Sequence, residues 1–572
     1  MTVLQQTLQL GATDCDVLIL GAGAAGMTAA AVSHVLGLRV IVCEASAQVG
    51  GTTATSAGTA WIPLSHHAAS AGVVDTEENV LRYLGDLVGP TLNTELVDVF
   101  LKNGPLVVRF LETNTHLSFR LPYPHPDYRQ ESPGATLGGR ALAVTPFDGR
   151  LLGKHFADMR PPREEFLAFG GMMVGKEDLA PLLHPMSSIS ALKHSLGLLG
   201  RFAVDRVRYA RGTRLVMGNA MVGRLYYTLL RQGVPVRLRT RATRLLVIDG
   251  RVAGAETTAP GGVGEITAAK GVVLAGGGLS TAWISSAQLG DSSAIRHPLI
   301  FEGNQGQTVD AALSIGASLE VDHQSPAFWM PVSTYIGRDN QPRAYPHIVL
   351  DRAKPGIIAV DGNGQRFTDE AASYHDFVLA MQRVSAVTDH ARFFLVCDAV
   401  ALKKYGLGAV MPESLRWRRF VKCGYLRTAP DVGTLSQRLS VPVHTLTQTV
   451  ARFNECAREG RDPEFGRGTS ALALVNGDPN HRPNASVGPL CSPPFFAVEL
   501  SFAPLAASAG LRVNGDAQVL RSDLNAIAGL YACGNDMASI MRGAYPGPGT
   551  TLGPALVFAS QAAKHLAGAG PR

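Results

Sequence analysis

Apolar residues fall along this chain in patterns that switch between strand and helix. Val17-Leu18-Ile19-Leu20 is a continuous run of strand length, and residues 38–43 form a second. Between them, residues 24–36 are Ala-rich and read as a helix, so 16–51 predicts a β-α-β unit. Helical spacing follows over 75–115, with Val80, Tyr83, Leu84 and Leu87, then Leu96, Val97, Phe100 and Leu101. Residues 185–232 are helical and basic. Arg201, Arg206, Arg208, Arg211 and Arg214 interleave there with Leu199, Phe202, Val204, Val207 and Tyr209. Alternation begins at Val234 and, with a turn at Asp249-Gly250, predicts a β-meander. Residues 271–274 form a strand running into Ala275-Gly276-Gly277-Gly278. Residues 424–439 predict a helix with a capped start at Thr434, and 444–460 an amphipathic helix ending at Gly460. A last strand ends in Gly534-Asn535-Asp536, and an Ala-rich helix closes the chain. Residues 1–13 read as a loose leader, and Pro and Gly mark 120–140 as an ordered loop carrying Tyr123 and Tyr128.

Glycines at the strand–helix junctions carry the first chemistry. Gly21, Gly23 and Gly26 have G-x-G-x-x-G spacing between the first strand and the first helix. Gly21 suits a tight turn, Gly23 a close approach of backbone to a pyrophosphate, and Gly26 close helix–strand packing. Ala24 and Ala25 open the helix, whose first turn points its positive dipole end at the phosphates. Glu44, ending the second strand, can accept hydrogen bonds from a ribose diol. Gly50-Gly51-Thr52-Thr53 follows at once, and a second glycine pair there suits FAD better than NAD. The loop around Gly549-Thr550-Thr551-Leu552 aims another helix start at the flavin, where it would stabilise charge on the reduced ring. The cofactor set expected is therefore these residues with Ser56, Ala57, Gly58, Ala275, Gly276, Gly277, Gly534, Asn535 and Asp536.

Composition narrows the class without naming a reaction. The chain has 572 residues, 46% of them hydrophobic and 17% charged, which predicts more than one core. A net charge of +6 is mild at this length, and no dense basic run with interleaved aromatics argues for nucleic acid. The seven cysteines are scattered without a C-x-x-C pair, so neither a disulfide framework nor a metal site is expected. No basic region precedes the first apolar run, and no run is long enough to span a bilayer, so a cytoplasmic protein is expected. The basic helical stretch adds peripheral contact with anionic lipid as an expectation.

Several longer segments carry a resemblance. GAGAAG (21–26), GGTTATSAGTAWIP (50–63), PDY with ESPG (126–134), TPFDGR (145–150), LAGGG (274–278), NGQRFTDEAASY (363–374), PPFFAVEL (493–500), GLYACGND (529–536) and AYPGPGTTLGPA (544–555) span nearly the whole chain. Together they resemble the 3-ketosteroid Δ1-dehydrogenases, within the fumarate reductase/succinate dehydrogenase-like flavoproteins. The resemblance implies a discontinuous Rossmann-like FAD-binding domain of residues 1–325 and 506–572, with an inserted α+β substrate domain of 326–505. It implies that Tyr545 and the N–H of Gly549 bind a 3-keto oxygen, that Tyr374 takes the C2 proton, and that Tyr128 supports Tyr374. It also implies a hydride passing from C1 to flavin N5, then electrons leaving to a quinone or another acceptor. No His lies in 50–58, so the FAD is expected to be non-covalent.

The alternatives are a 3-ketosteroid Δ4-(5α)-dehydrogenase or related cyclic-ketone dehydrogenase, then a fumarate-reductase-type enzyme or a non-catalytic flavoprotein. The chain departs from the family pattern at Ala506-Ala507-Ser508-Ala509-Gly510, at Asp369-Glu370 and at Arg542, three residues before Tyr545. These departures leave the ring system of the substrate open.

Overall fold

The N-terminal β-α-β unit forms as its pattern predicts and founds the larger sheet of the computed structural model, which describes residues 13–289, 295, 297–337, 340–388, 391–414 and 416–568. Strand Cys15–Leu20 lies between Val40–Cys43 and Gly262–Leu274 and runs parallel to both. Its near-continuous apolar run is explained by burial on both faces. The long strand Gly262–Leu274 serves two neighbourhoods. Its last residues pair in parallel with Cys15–Leu20 and with Ala526–Ala532, while residues 262–267 pair antiparallel with Arg251–Ala259. Arg241–Ile248 completes that meander, and Asp249 and Gly250, with φ of 50° and 77°, make the turn between them. Strand Val236–Arg237 adds an edge beside Val40–Cys43.

Helices Ala24–Val35 and Leu552–Ala567 pack against each other at this sheet, and Met217–Gln232 packs against the first of them. Both Ala-rich helices are apolar nearly all round because both are buried, and their small side chains let the backbones come close. The two chain regions thus meet although more than 500 residues of chain lie between them.

A second, antiparallel sheet is built within residues 327–507. Phe495–Ala507 is its long spine. Its later half pairs with Ala327–Ile336 and its earlier half with Phe393–Cys397, which pairs with Ile357–Asp361. Helix Tyr374–Ser385 packs on Ala327–Ile336. Under the segment that leads into this helix, Glu370 is fully buried and holds Arg366 at 2.7 Å and Arg467 at 3.1 Å.

Two local expectations change. The helix placed at 424–439 is Val432–Leu439, and its N-cap is Asp431; the carboxylate accepts from the backbone N–H and the hydroxyl of Thr434 at 2.7 and 2.8 Å. The basic stretch is mostly helical, with a break. It divides into Ile189–Arg208 and Met217–Gln232, with strand Arg214–Leu215 between them. Arg201 pairs with Asp148 at 2.8 Å, Arg214 with Asp178 at 2.9 Å, and Arg211 lies 4.5 Å over the ring of Phe156. Of the five arginines only Arg206 and Arg208 are left as exposed residues. The leader, apart from Thr13, lies outside the described residues. All seven cysteines are free, and Cys15 and Cys43 are buried. Among the described residues no helix is long and apolar enough to cross a membrane.

Candidate active site

One cavity of about 850 Å³ runs from the first glycine loop to the second sheet. That is near the upper end for small-molecule sites, roughly 300–1,000 Å³, and leaves room for more than one ligand. Its first wall is Gly21, Gly23, Ala24, Ala25 and Glu44. A Cβ on Gly21 would lie 2.2 Å from the carbonyl oxygen of Ala275, and one on Gly26 would lie 1.9 Å from that of Gly21. Gly23 faces open space instead, with only Thr53 Oγ1 near, at 3.7 Å. Glu44 accepts the N–H of Ala22 at 2.8 Å and that of Ser46 at 2.9 Å, which fixes its carboxylate on the rim of the cleft.

Gly51, Thr52, Thr53, Ser56, Ala57 and Gly58 form the next wall. Thr53 Oγ1 accepts from the N–H of Ala24 at 3.1 Å, and Ser56 Oγ bonds the Thr53 carbonyl at 2.8 Å. Ala275, Gly276, Gly277, Gly534 and Asn535 line the cleft from the other side, and Gly549, Thr551 and Leu552 close its far end.

Three residues of the expected cofactor set stand back from the cleft. Gly26 serves packing. Gly50, with φ of 116°, packs against Val222 and donates its N–H to the Ala22 carbonyl. Asp536 is buried, and its carboxylate accepts the N–H groups of Gly276 at 2.9 Å and Gly278 at 2.6 Å. It clamps the glycine turn that lines the cleft rather than facing the cleft itself. A strand ending in Gly-Asn-Asp reads as a ligand loop, and nothing local shows that its acid is consumed by another turn.

Residues 301–308 lie outside the expected set, yet Phe301, Gly303, Asn304, Gln307 and Thr308 belong to the lining. Asn304 donates to the Gly277 carbonyl at 2.9 Å, and Thr308 is what a Cβ on Gly276 would strike, at 2.3 Å. Their signal in the sequence is a Gly-rich polar run leading into helix Gln307–Leu313.

At the far end three tyrosines converge. The hydroxyls of Tyr374 and Tyr545 are 2.7 Å apart. The ring of Tyr128 lies 5.5 Å from that of Tyr374, edge to face, and 5.6 Å from that of Tyr545, stacked. Tyr374 is the first residue of its helix, behind Ser373, whose hydroxyl caps the N–H of Asp376 at 3.1 Å. Tyr545 sits in the loop before the last helix, with Phe328 against its ring at 5.3 Å. Tyr128 is anchored by its N–H, which donates to the Pro546 carbonyl at 2.8 Å. The hydroxyl of Tyr83 donates to the same carbonyl at 2.6 Å.

The residues on either side of Tyr128 are also engaged, and no local pattern marks them. Asp127 is buried and accepts from Trp61 Nε1 at 3.0 Å and Arg140 at 2.8 Å. Arg129 donates to Asp376 at 2.6 Å and so ties the Tyr128 loop to the Tyr374 helix. Gly549 has φ of 96°, and a Cβ on it would lie 2.5 Å from the backbone nitrogen of Trp61. Its carbonyl accepts the Trp61 N–H at 3.1 Å, while its own N–H has no hydrogen-bond partner among the described residues.

Burial dominates the acidity of these phenols. It raises Tyr545 to about 12, opposed by its hydrogen bond with Tyr374. It raises Tyr374 further, with Tyr128 and Tyr545 adding to the effect, and raises Tyr128 as well. Without a ligand all three are neutral, and Tyr374 holds its proton more firmly than Tyr545. The arrangement can donate hydrogen bonds to an oxygen placed between Tyr545 and Gly549.

A Rossmann-like sheet whose glycine loops and Glu44 line a long cleft is the architecture of a dinucleotide-binding flavoprotein. A family profile described as FAD binding domain matches residues 16–552, and the chain belongs to that family. It is 36% identical to a 4-oxocyclohex-2-ene-1-carboxylate 5-dehydrogenase of Sinomonas cyclohexanicum, over 97% of this chain and 94% of that protein. It is 32% identical to a 3-oxosteroid 1-dehydrogenase of Mycobacterium tuberculosis, over 96% of this chain and 98% of the relative. A 3-ketosteroid Δ1-dehydrogenase from Sterolibacterium denitrificans, solved in complex with 1,4-androstadiene-3,17-dione, matches with a TM-score of 0.89 and 31% identity over 97% and 99% of the two chains. The protein is thus an FAD-dependent oxidoreductase acting on CH–CH groups, within the family that the sequence motifs resemble.

Proposed function

We propose that the chain is a 3-ketosteroid Δ1-dehydrogenase, introducing a C1–C2 double bond into a 3-ketosteroid. The observation that carries this reading is the convergence of Tyr128, Tyr374 and Tyr545 beside the free N–H of Gly549. In this reading the keto oxygen accepts from the Tyr545 hydroxyl and the Gly549 N–H, which acidifies C2–H and stabilises the developing enolate. The Tyr545 oxygen, whose own proton goes to the substrate, faces the Tyr374 hydroxyl at 2.7 Å. Tyr128 then donates to the Tyr374 oxygen, and the helix N-terminus under Tyr374 favours the phenolate further. Tyr374 releases its own proton to solvent before the chemical step and, as the phenolate, takes the C2 proton. FAD, when bound, supplies the acceptor for the C1 hydride. Buried apolar walls keep water from the enolate.

The test is anaerobic mixing of the purified holoprotein with androst-4-ene-3,17-dione. Bleaching of the flavin with loss of two hydrogens at C1–C2 supports the reading. A new double bond at C4–C5 makes it a Δ4-(5α)-dehydrogenase instead, and an unchanged yellow spectrum removes the steroid reading. Only one G-x-G-x-x-G fingerprint occurs, so electrons leave to a quinone or a similar carrier. Rapid reduction of the flavin by NADH alone would refute that.

The same reading includes peripheral membrane contact through the segment from Lys176–Leu183 to Ile189–Arg208. Met186, Ile189, Leu196, Val204 and Val207 are all exposed there, at 83, 76, 60, 66 and 83%. Arg206 and Arg208 flank them. Such a face suits the interface of an anionic bilayer. Co-flotation with phosphatidylglycerol vesicles, lost when Ile189 and Val207 become Ser, is the expected result. Equal flotation of the variant would exclude this surface.

A further inference from the structure

The cleft has an uncompensated positive charge at its substrate end. Its charged lining falls into two regions. Glu44 and Arg241 belong to the dinucleotide end, next to Thr240 and Ala242. Arg120, Arg163, Lys176 and Glu177 belong to the other end, near the Tyr128 loop. There Arg120 pairs with Glu177 at 3.0 Å, and Arg163 pairs with Glu165 at 3.3 Å. Lys176 has neither a carboxylate nor a hydrogen-bond partner among the described residues. Its backbone opens helix Lys176–Leu183, and the one acid of that first turn facing inward, Asp178, is already held by Arg214 and His194.

Apart from Glu177, which Arg120 holds, the groups near Lys176 add no negative charge. His125, also on the cleft wall, is held neutral by burial, which with the neighbouring Lys176 charge lowers it to about 4. Lys354 donates to the carbonyls of Asn476 and Gly477 and is a second cation within electrostatic reach of Lys176. The remaining wall is apolar, including Phe166, Ile348, Leu472 and Val475. Lys176 is an exposed residue that also lines the cleft, and the protein around its amine lowers its pKa through burial. Filling this end with an uncharged ligand strips water from the ammonium and returns nothing. A carboxylate there forms a charge-assisted hydrogen bond in surroundings less polar than water.

We propose that the cleft is built for a cyclic ketone that carries a carboxylate remote from its keto group, and that Lys176 binds that carboxylate. This rests on the keto-oxygen site at Tyr545 and Gly549 proposed above. The same chemistry is offered by a 3-ketosteroid with an acidic side chain and by a single-ring oxo acid. The neutral steroid nucleus remains a substrate but lacks the group that Lys176 recognises. Lys176 is thereby a specificity residue: it discriminates acids from their esters and takes no part in proton or hydride transfer.

The experiment compares each acid with its own methyl ester, so that ring size and apolar area cancel. The pairs are 3-oxochol-4-en-24-oic acid and 4-oxocyclohexanecarboxylate, each with its ester, and androst-4-ene-3,17-dione serves as the neutral reference. For wild-type holoenzyme, Lys176→Met and Lys176→Arg, kcat/KM is measured together with Kd from the perturbation of the flavin spectrum. The expected result is an acid over ester preference of about tenfold or more for one pair in the wild type, expressed in KM and Kd. The preference falls to near one in Lys176→Met, survives in Lys176→Arg, and shrinks with added salt. The pair that shows it identifies the ring system. Equal constants for acid and ester in both pairs of the wild type overturn the proposal without needing any variant. A preference that survives Lys176→Met overturns the role of Lys176. Bleaching by androst-4-ene-3,17-dione with no acid preference rejects this inference alone. An acid preference in Kd without any flavin bleaching rejects the dehydrogenase reading and keeps the anion site.

Discussion

Replacing Tyr545 by Phe removes one oxygen atom from the centre of the site and little else. The ring is 6% exposed and packs on Tyr128, Tyr374 and Phe328 at centroid distances of 5.6, 5.1 and 5.3 Å. Phe retains all three contacts, so the fold and the bound FAD persist. What is lost is the acceptor for the Tyr374 hydroxyl, 2.7 Å away, and, on the proposed mechanism, the donor to the keto oxygen. Loss of one oxyanion donor costs roughly 2.7–4 kcal/mol of transition-state stabilisation, a fall of about 10²–10³ in kcat. KM moves little if the bond is stronger to the enolate than to the ketone. The structure adds a second, less ordinary consequence. The Tyr374–Tyr545 bond stabilises the protonated form of Tyr374 and so raises its pKa. Burial is the main cause of the raised pKa and the Tyr545 contact adds to it, so with that contact gone the base is expected to ionise at lower pH. The limb of kcat/KM that rises with pH therefore shifts downward in the variant even as the plateau falls. Stopped-flow flavin reduction across pH, with FAD content checked by absorbance, reads both. A plateau within threefold of wild type, or a limb that stays in place or moves upward, would refute this pairing of donor and base.

On the proposed mechanism, Tyr374→Phe removes the base but leaves the keto-oxygen donor. Turnover is expected to fall by about 10²-fold or more with ligand affinity largely kept, as steady-state kinetics and flavin-perturbation titration will show. Gly549→Ala forces a Cβ to within 2.5 Å of the Trp61 nitrogen and 2.6 Å of the Thr59 carbonyl oxygen at a positive φ. The loop before the last helix should be displaced, giving protein that loses FAD or fails to fold; normal FAD occupancy and activity would show that the N–H of Gly549 is not constrained. Burial raises Glu370, but Arg366 and Arg467 outweigh it and bring its pKa down to about 2. A depressed carboxylate contributes stability that is present above the unfolded value of about 4.3 and is lost as pH falls towards 2. Glu370→Gln should lose about 3–5 kcal/mol at neutral pH, and its deficit relative to wild type should shrink with acidification in that window, measured by denaturant unfolding.

Where an arrangement is carried by contiguous residues, the chain alone was enough. The turn at Gly21, the approach at Gly23 and the acid at Glu44 lie within one β-α-β unit, so spacing along the backbone is also spacing in space. The meander turn at Asp249-Gly250 and the Ala-rich helices are equally local, since backbone conformation and burial period are written residue by residue. The tertiary structure decided what distant side chains do to one another. Tyr374 and Tyr545 stand 171 positions apart in sequence and 2.7 Å apart in space. No local pattern could state that distance or the rise in their pKa values that follows from shared burial. Asp536 looked like a ligand and became the clamp on Gly276 and Gly278, while Arg201 and Arg214 looked like a basic face and were neutralised by Asp148 and Asp178. Lys176 carried no signal at all in the sequence. Its meaning lies in which charges face it, and those come from segments that only the folded chain brings together.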